Sequence, residues 1–160
     1  MIQKEFPKNF YHLSLSKKIP FKQLFAVIAF STCDFRKKYD FFVLSGRLVA
    51  LAAPKHRPNI FICHDILREF YDLQDFYGAK MGFGMRLSQL LGSIIVKPLF
   101  EASLKSVDKC ISASKYMREK IRRYYGIDSV NVYPPVNVEE YYSKPSKGYY
   151  LSVNRLYPAK

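Results

Sequence analysis

The chain has 160 residues, 49% hydrophobic and 16% aromatic, which suits one packed domain and excludes a disordered chain. Lys and Arg outnumber Asp and Glu by 26 to 13, a net charge of +13 that fits nucleic acid, anionic lipid, a phosphorylated substrate or a merely solvated surface. Apolar runs such as Leu48 to Pro54 fall well short of the roughly 18–20 residues of a membrane span, and the opening "MIQKEFPKNFYHLSLSKKIP" has no apolar signal core, so a cytoplasmic protein is expected.

In chain order, "FYHLSLS" alternates like a short edge strand, and "FKQLFAVIAFSTCDFRKK" (21–38) reads as a helix covering it. "YDFFVLSG" (Tyr39 to Gly46) is an apolar run ended by glycine, the pattern of a buried strand. "RLVALAAPKHR" follows as a short helix that Pro54 ends or kinks, and "NIFICHD" (Asn59 to Asp65) is a second buried strand. A polar and aromatic loop containing "YGAKMGFGM" then leads into a long amphipathic helix. Its apolar face is made of Leu87, Leu90, Leu91, Ile94 and Ile95, with a break expected at Pro98.

"VDKCISAS" (107–114) is a third strand, and Ser114 suits the N-cap of the next helix. That helix turns Met117, Ile121, Tyr124 and Tyr125 inward and Lys115, Arg118, Arg122 and Arg123 outward, and Gly126 stops it. "SVNVYPP" and "GYYLSVN" supply a fourth and a fifth strand. Strands alternating with helices predict an α/β fold: a Rossmann-like parallel sheet with helices on both faces. Such sheets bind ligands beyond the carboxyl ends of their strands, at a switch in strand order. The residues leaving the strands are Ser45 and Gly46, His64 and Asp65, Ser112 and Ser114, Pro134 and Pro135, and Asn154 and Arg155.

The three cysteines, Cys33, Cys63 and Cys110, form no metal-ligand or disulfide pattern, and the last two sit in apolar runs as buried thiols. The motifs GxxxxGK[ST], GxGxxG, GxSxG and HExxH are all missing, which removes most support for the usual phosphate loops, a serine hydrolase or a zinc protease. His64 leaves an apolar strand beside Asp65, Arg68 and Asp72, which suits an acid, a base or a hydrogen-bond donor; a helix N-terminus capped by Asp65 is the plainer alternative. His12 and His56 have no such setting and read as surface residues. Arg155 and Lys160 flank Pro158, and a helix starting there would present an anion site to both cations. Arg would hold two oxygens of a diphosphate while Lys adds a point charge.

Taken in order, "YDFFVLSG", "NIFICHDILREFYDL", "SVDKCISASKYMREKIRRYYGIDSVNVYPPVNVEEYY" and "YYLSVNRLYPAK" resemble the retaining GT-B glycosyltransferases of family 4, most nearly their mannosyltransferase-like branch. The resemblance covers about residues 39–160 and is most specific in "NVYPPVNVEEYY" and "SVNRLYPAK". It implies an acceptor-side Rossmann-like domain over 1–146, incomplete at its start, and the first strand and loop of a donor domain over 147–160. It also implies that Arg155 and Lys160 contact the diphosphate of a nucleotide-sugar of the GDP-mannose type. His64 would stand as the catalytic-site histidine near the transferred sugar, with Gly46, Asp65 and Arg68 in the vicinity of sugar and acceptor. Asn154 stands where the family more usually has Gly.

The implied reaction is sugar transfer with retention to a glycan or lipid-linked acceptor, with no metal held in an Asp-x-Asp manner. A chain with one of the two domains is expected to be inactive alone and to need a separate donor-domain chain. Lipid-linked acceptors also imply a peripheral contact at the cytoplasmic face of the membrane, for which Arg118, Arg122 and Arg123 form the anion-facing surface at roughly 1 kcal/mol per cation. The alternative is a non-catalytic basic module that binds anionic membrane or phosphorylated ligands. Nucleic acid is not expected, because no base-stacking motif or recognition-helix pattern is seen.

Overall fold

The structure, a computed structural model, describes residues 22–76, 83–142, 144–145, 148 and 150. Four parallel strands make the sheet: β1 (Phe42–Ser45), β2 (Asn59–Cys63), β3 (Lys109–Ser112) and β4 (Val130–Asn131). The fold is the expected α/β one, a small Rossmann-like parallel sheet with helices. Spatial order equals chain order, β1-β2-β3-β4, so the switch in strand order expected from the sequence is not among the described strands.

Register explains the core. Leu44, Phe61 and Cys110 lie opposite one another on adjacent strands and share the buried face. On the other face Val43 and Val130 are exposed while Ile60, Ile62 and Ile111 are half-buried. The first crossover is only a 3-10 helix, Val49–Lys55, in which Ala50, Leu51, Ala52 and Ala53 are all buried. Small side chains there let α1 (Lys22–Thr32) and the helix before β3 pack close to it. Pro54 lies inside this short helix, which continues to Lys55. α1 stops at Thr32 rather than Lys38: the Thr32 hydroxyl donates back to the Ile28 carbonyl at 2.7 Å, and Asp34 then turns the chain by accepting from the Arg36 amide.

Between β2 and β3 the chain is helical from Phe83 to Leu104, as α2 (Phe83–Leu91), a π-helical turn (Gly92–Val96) and α3 (Lys97–Leu104). The break expected at Pro98 does not occur, because Pro98 falls in the first turn of α3, directly after the wider π turn. The five residues do share one face, and it is the outer one. Leu87, Leu90, Leu91, Ile94 and Ile95 point to solvent, while Phe100, Ser103 and Leu104 enter the core. Gly92 helps set this phase: a Cβ there would come within 3.0 Å of the Phe70 ring, so the helix approaches the core on its glycine side.

α4 (Lys115–Tyr125) follows the sequence reading closely. The Ser114 hydroxyl accepts from the Met117 amide at 3.1 Å, and Gly126 closes the helix in the left-handed region at φ 68°. Ile121 is fully buried, while Lys115, Arg118, Arg122 and Arg123 face outward. β4 is shorter than expected: the Val132 amide still reaches the Ser112 carbonyl at 2.9 Å, but Pro134 and Pro135 have no N–H with which to continue the ladder. The strand expected in "FYHLSLS" lies outside the described residues. So do the strand expected over 148–154, except for Gly148 and Tyr150, the boundary at 146/147, and the part of the glycine-rich loop before Phe83. No helix among the described residues is long and apolar enough to cross a membrane.

The amino ends of the strands are sealed by polar groups. The buried amide of Asn59 donates to the carbonyls of His56 at 2.7 Å, Ser106 at 3.1 Å and Ala53 at 3.4 Å, and its oxygen accepts from the Asp108 amide at 3.2 Å. Asp108 returns the contact by accepting from the Asn59 amide at 2.9 Å, and it also pairs with Arg57. His56, expected at the surface, is buried. Its Nε2 accepts from the Phe35 amide at 3.0 Å, so Nδ1 carries the proton and donates to the Ala52 carbonyl at 2.7 Å. His12 lies outside the described residues.

Replacing Asn59 with Ala leaves several main-chain groups unpaired in a dry site and is expected to lower unfolding free energy by about 2–3 kcal/mol. Urea denaturation measures this, and a loss within about 0.5 kcal/mol of zero shows that the network is not supporting the fold.

Candidate functional site

Two strand ends converge at the opposite, carboxyl end of the sheet. Ser45 closes β1 in register with Ile62, and His64 follows two residues later on the same side of the neighbouring strand. The Ser45 hydroxyl and His64 Nε2 are 2.9 Å apart, within hydrogen-bond distance, and both side chains are exposed. Either can donate, depending on which imidazole nitrogen holds the proton. Gly46 follows Ser45 at φ +134°, which an L side chain rarely adopts, so the turn out of β1 needs glycine. Next to it Arg47 ion-pairs with Glu69, joining the loops that leave β1 and β2.

The neighbours of His64 have other partners. The Asp65 carboxylate accepts from the Ile66 amide at 2.9 Å, and the Asp65 carbonyl accepts from the Cys63 thiol at 3.4 Å, so Asp65 shapes the turn after β2. Asp72 is held by Lys120 of α4 at 2.8 Å and by Arg68 at 3.3 Å. Arg68 and Asp72 therefore tie the loop to α4 and do not form an acid behind the imidazole.

Aromatic packing holds that loop in place, which the sequence reading missed. The Tyr125 hydroxyl accepts from the Leu67 amide at 2.8 Å, and the Tyr71 hydroxyl donates to Glu101 of α3 at 2.6 Å. The Tyr71 and Tyr125 rings meet edge-on at 5.5 Å, and Lys97 lies 4.5 Å over the Tyr71 ring. Burial raises the pKa of both phenols, and the hydrogen bond to Glu101 adds to this for Tyr71, so both stay protonated donors or acceptors. The only sequence signal for this staple is the inward spacing of Tyr125 on α4.

Ser112, at the end of β3, is buried and makes long contacts to the Val130 carbonyl at 3.4 Å and the Asn131 side chain at 3.5 Å, so it joins β3 to β4. Burial pushes the Cys63 thiol up to about 12 and Cys110 up to about 11, which leaves both as unreactive core residues. Arg118 pairs with Asp128 at 3.1 Å, and Arg123 lies over Tyr124, all on the exposed side of α4. Arg155 and Lys160 lie outside the described residues. Chemically, the Ser45–His64 pair can present a fixed imidazole to a ligand above the sheet end, to give or accept one hydrogen bond. Among the described residues no three metal-ligating side chains gather at a common point.

Comparison with protein-family models, with curated proteins and with solved structures finds no match for this chain.

The Asp72 pair makes a pH-dependent prediction. Burial penalises its ionised carboxylate, but hydrogen bonds from Lys120 and Arg68 outweigh that and hold its pKa below the ordinary value. Asp72→Asn is expected to cost roughly 1.5–3 kcal/mol near neutral pH. Because the folded pKa is the lower one, the wild-type advantage is complete above roughly pH 4–5 and is lost as pH falls through the folded value. Urea melts of both proteins across this range should show the gap closing towards acid; a gap that stays constant means the carboxylate charge is not what stabilises the loop.

Proposed function

We propose that the chain contains the acceptor-side domain of a retaining GT-B glycosyltransferase of family 4, in its mannosyltransferase-like branch. The single observation that carries the reading is the Ser45–His64 pair at 2.9 Å, which stands at the carboxyl ends of two adjacent parallel strands beside the Gly46 turn. Parallel sheets take ligands beyond the carboxyl ends of their strands, the end at which this pair stands, although the switch in strand order that marks such sites elsewhere is not among the described strands. The order of the sequence segments from "YDFFVLSG" to "SVNRLYPAK" supports it as well.

In this reading His64 meets the transferred sugar or the acceptor, Ser45 fixes the ring, and Gly46 and Asp65 shape the loops beside the acceptor. Arg68 acts by anchoring the loop through Asp72. Arg155 and Lys160 take the diphosphate of a GDP-mannose-type donor. In the reaction the bond from the sugar's anomeric carbon to the diphosphate oxygen breaks, and a bond to the acceptor oxygen forms on the same face as that oxygen passes its proton to the departing diphosphate. In a fold of this kind the rest of the donor site comes from a second, donor-binding domain. The same reading places the chain in the cytoplasm, at the membrane face where lipid-linked acceptors are found.

A second reading rests on the exposure of Arg118, Arg122 and Arg123 along α4: a non-catalytic module holding anionic membrane or phosphorylated ligands there.

Titration of the isotope-labelled chain with a lipid-linked oligosaccharide, followed by NMR, separates the two readings. Shifts at Ser45, Gly46 and His64 are expected. His64→Ala should weaken acceptor binding about tenfold, the worth of one hydrogen bond. Shifts confined to α4 favour the second reading, and shifts at neither place remove the acceptor-site proposal. In an enzyme with its complete donor site, Arg155→Ala and Lys160→Ala should each raise donor KM or lower kcat by about tenfold or more, since each removes a charge-assisted contact. Unchanged kinetics remove the diphosphate role.

A further inference from the structure

The outward side of the α2–α3 helix has the wrong polarity for a helix facing water. Leu87, Leu90, Leu91, Ile94, Ile95 and Leu99 form one continuous stripe along it, and Leu90, Ile94 and Ile95 are 55%, 61% and 57% exposed. The side turned to the protein carries two polar groups beside the buried Phe100 and Leu104: the Gln89 amide donates to the Glu69 and Gln74 carbonyls, and the Glu101 carboxylate accepts from Tyr71. The stripe runs roughly 18 Å at the rise of an α-helix. Exposed cations stand at its two ends, Arg86 before it and Lys105 after it, and the segment between them contains no acidic residue except the inward-held Glu101.

A single leucine at a surface is ordinary, but a row of six on one helix marks an interaction face. Charge decides the occupant. Two copies of a chain with a net charge of +13 repel, which opposes pairing through this stripe, whereas an anionic surface attracts the chain and the cations bracketing the stripe. No helix among the described residues is long and apolar enough to cross a bilayer, and the inner side of this one is held against the protein, so its stripe meets a bilayer with the helix lying in the plane of the interface. We propose that the α2–α3 helix docks the chain on an anionic bilayer, burying Leu87, Leu90, Leu91, Ile94, Ile95 and Leu99 among the acyl chains with Arg86 and Lys105 at the headgroups. This inference does not depend on the sugar-transfer reading, and it uses a different surface from the Arg118, Arg122 and Arg123 side of α4.

The chain contains no tryptophan, so a single introduced one reports on one place. Ile94→Trp is expected to show emission shifted to shorter wavelength on adding phosphatidylcholine–phosphatidylglycerol vesicles, with little shift for phosphatidylcholine alone. Tyr116→Trp, on the exposed side of α4, should not shift. The double variant Leu90→Glu/Ile94→Glu should lose vesicle co-sedimentation by about tenfold or more while keeping the wild-type melting temperature, since both positions already face water. The proposal is overturned by an unshifted Ile94→Trp emission, by full vesicle binding in the double variant, or by a wild-type dimer in sedimentation equilibrium that the double variant dissolves.

Discussion

One buried carboxamide organises the amino end of the sheet. Asn59 opens β2, the strand that pairs with both β1 and β3, and its side chain reaches the loop before β2 and the loop before β3 together. With Asp108 bonded in return to the Asn59 amide, the starts of β2 and β3 are locked at one level. A buried amide is costly when unpaired and stabilising when all its bonds are made, so this site tolerates few other arrangements. His56 extends the same seal to the chain after α1, through Phe35.

With the amino end closed in this way, the carboxyl end is where side chains remain open to ligands. Registers fixed at Asn59 carry along the strands and bring Ser45 alongside His64. The loop that follows is then held from outside the sheet, by Tyr125 on its main chain, by Tyr71 against Glu101, and by the Arg68–Asp72–Lys120 cluster. The imidazole is thus positioned by a rigid frame on both sides, as a binding group must be if it is to act without first paying an ordering cost.

Much of this frame is legible in the residues. Apolar runs ending in Ser45 and Cys63 mark β1 and β2, and Ser114 and Gly126 mark both ends of α4 through local capping chemistry. Ser45 and His64 are both visible as strand-end residues, but their pairing depends on register, which no local pattern encodes. Periodicity also finds the stripe from Leu87 to Ile95 without saying which way it faces. That is decided by the distant contact of Gly92 with Phe70 and by Phe100 and Leu104 in the core. His56 reads as polar and ends up buried because a main-chain N–H and a carbonyl happen to meet its two nitrogens.

The strand order has a further consequence, for synthesis. Because β1, β2, β3 and β4 sit side by side in the order in which they are made, each strand on leaving the ribosome finds its upstream neighbour already present. None of the described strands has to wait for a later one to be inserted beside it, and each addition extends the sheet at the same edge. The sheet can therefore assemble vectorially, one crossover at a time, with the Asn59 network completed only when Ser106 and Asp108 emerge to close it.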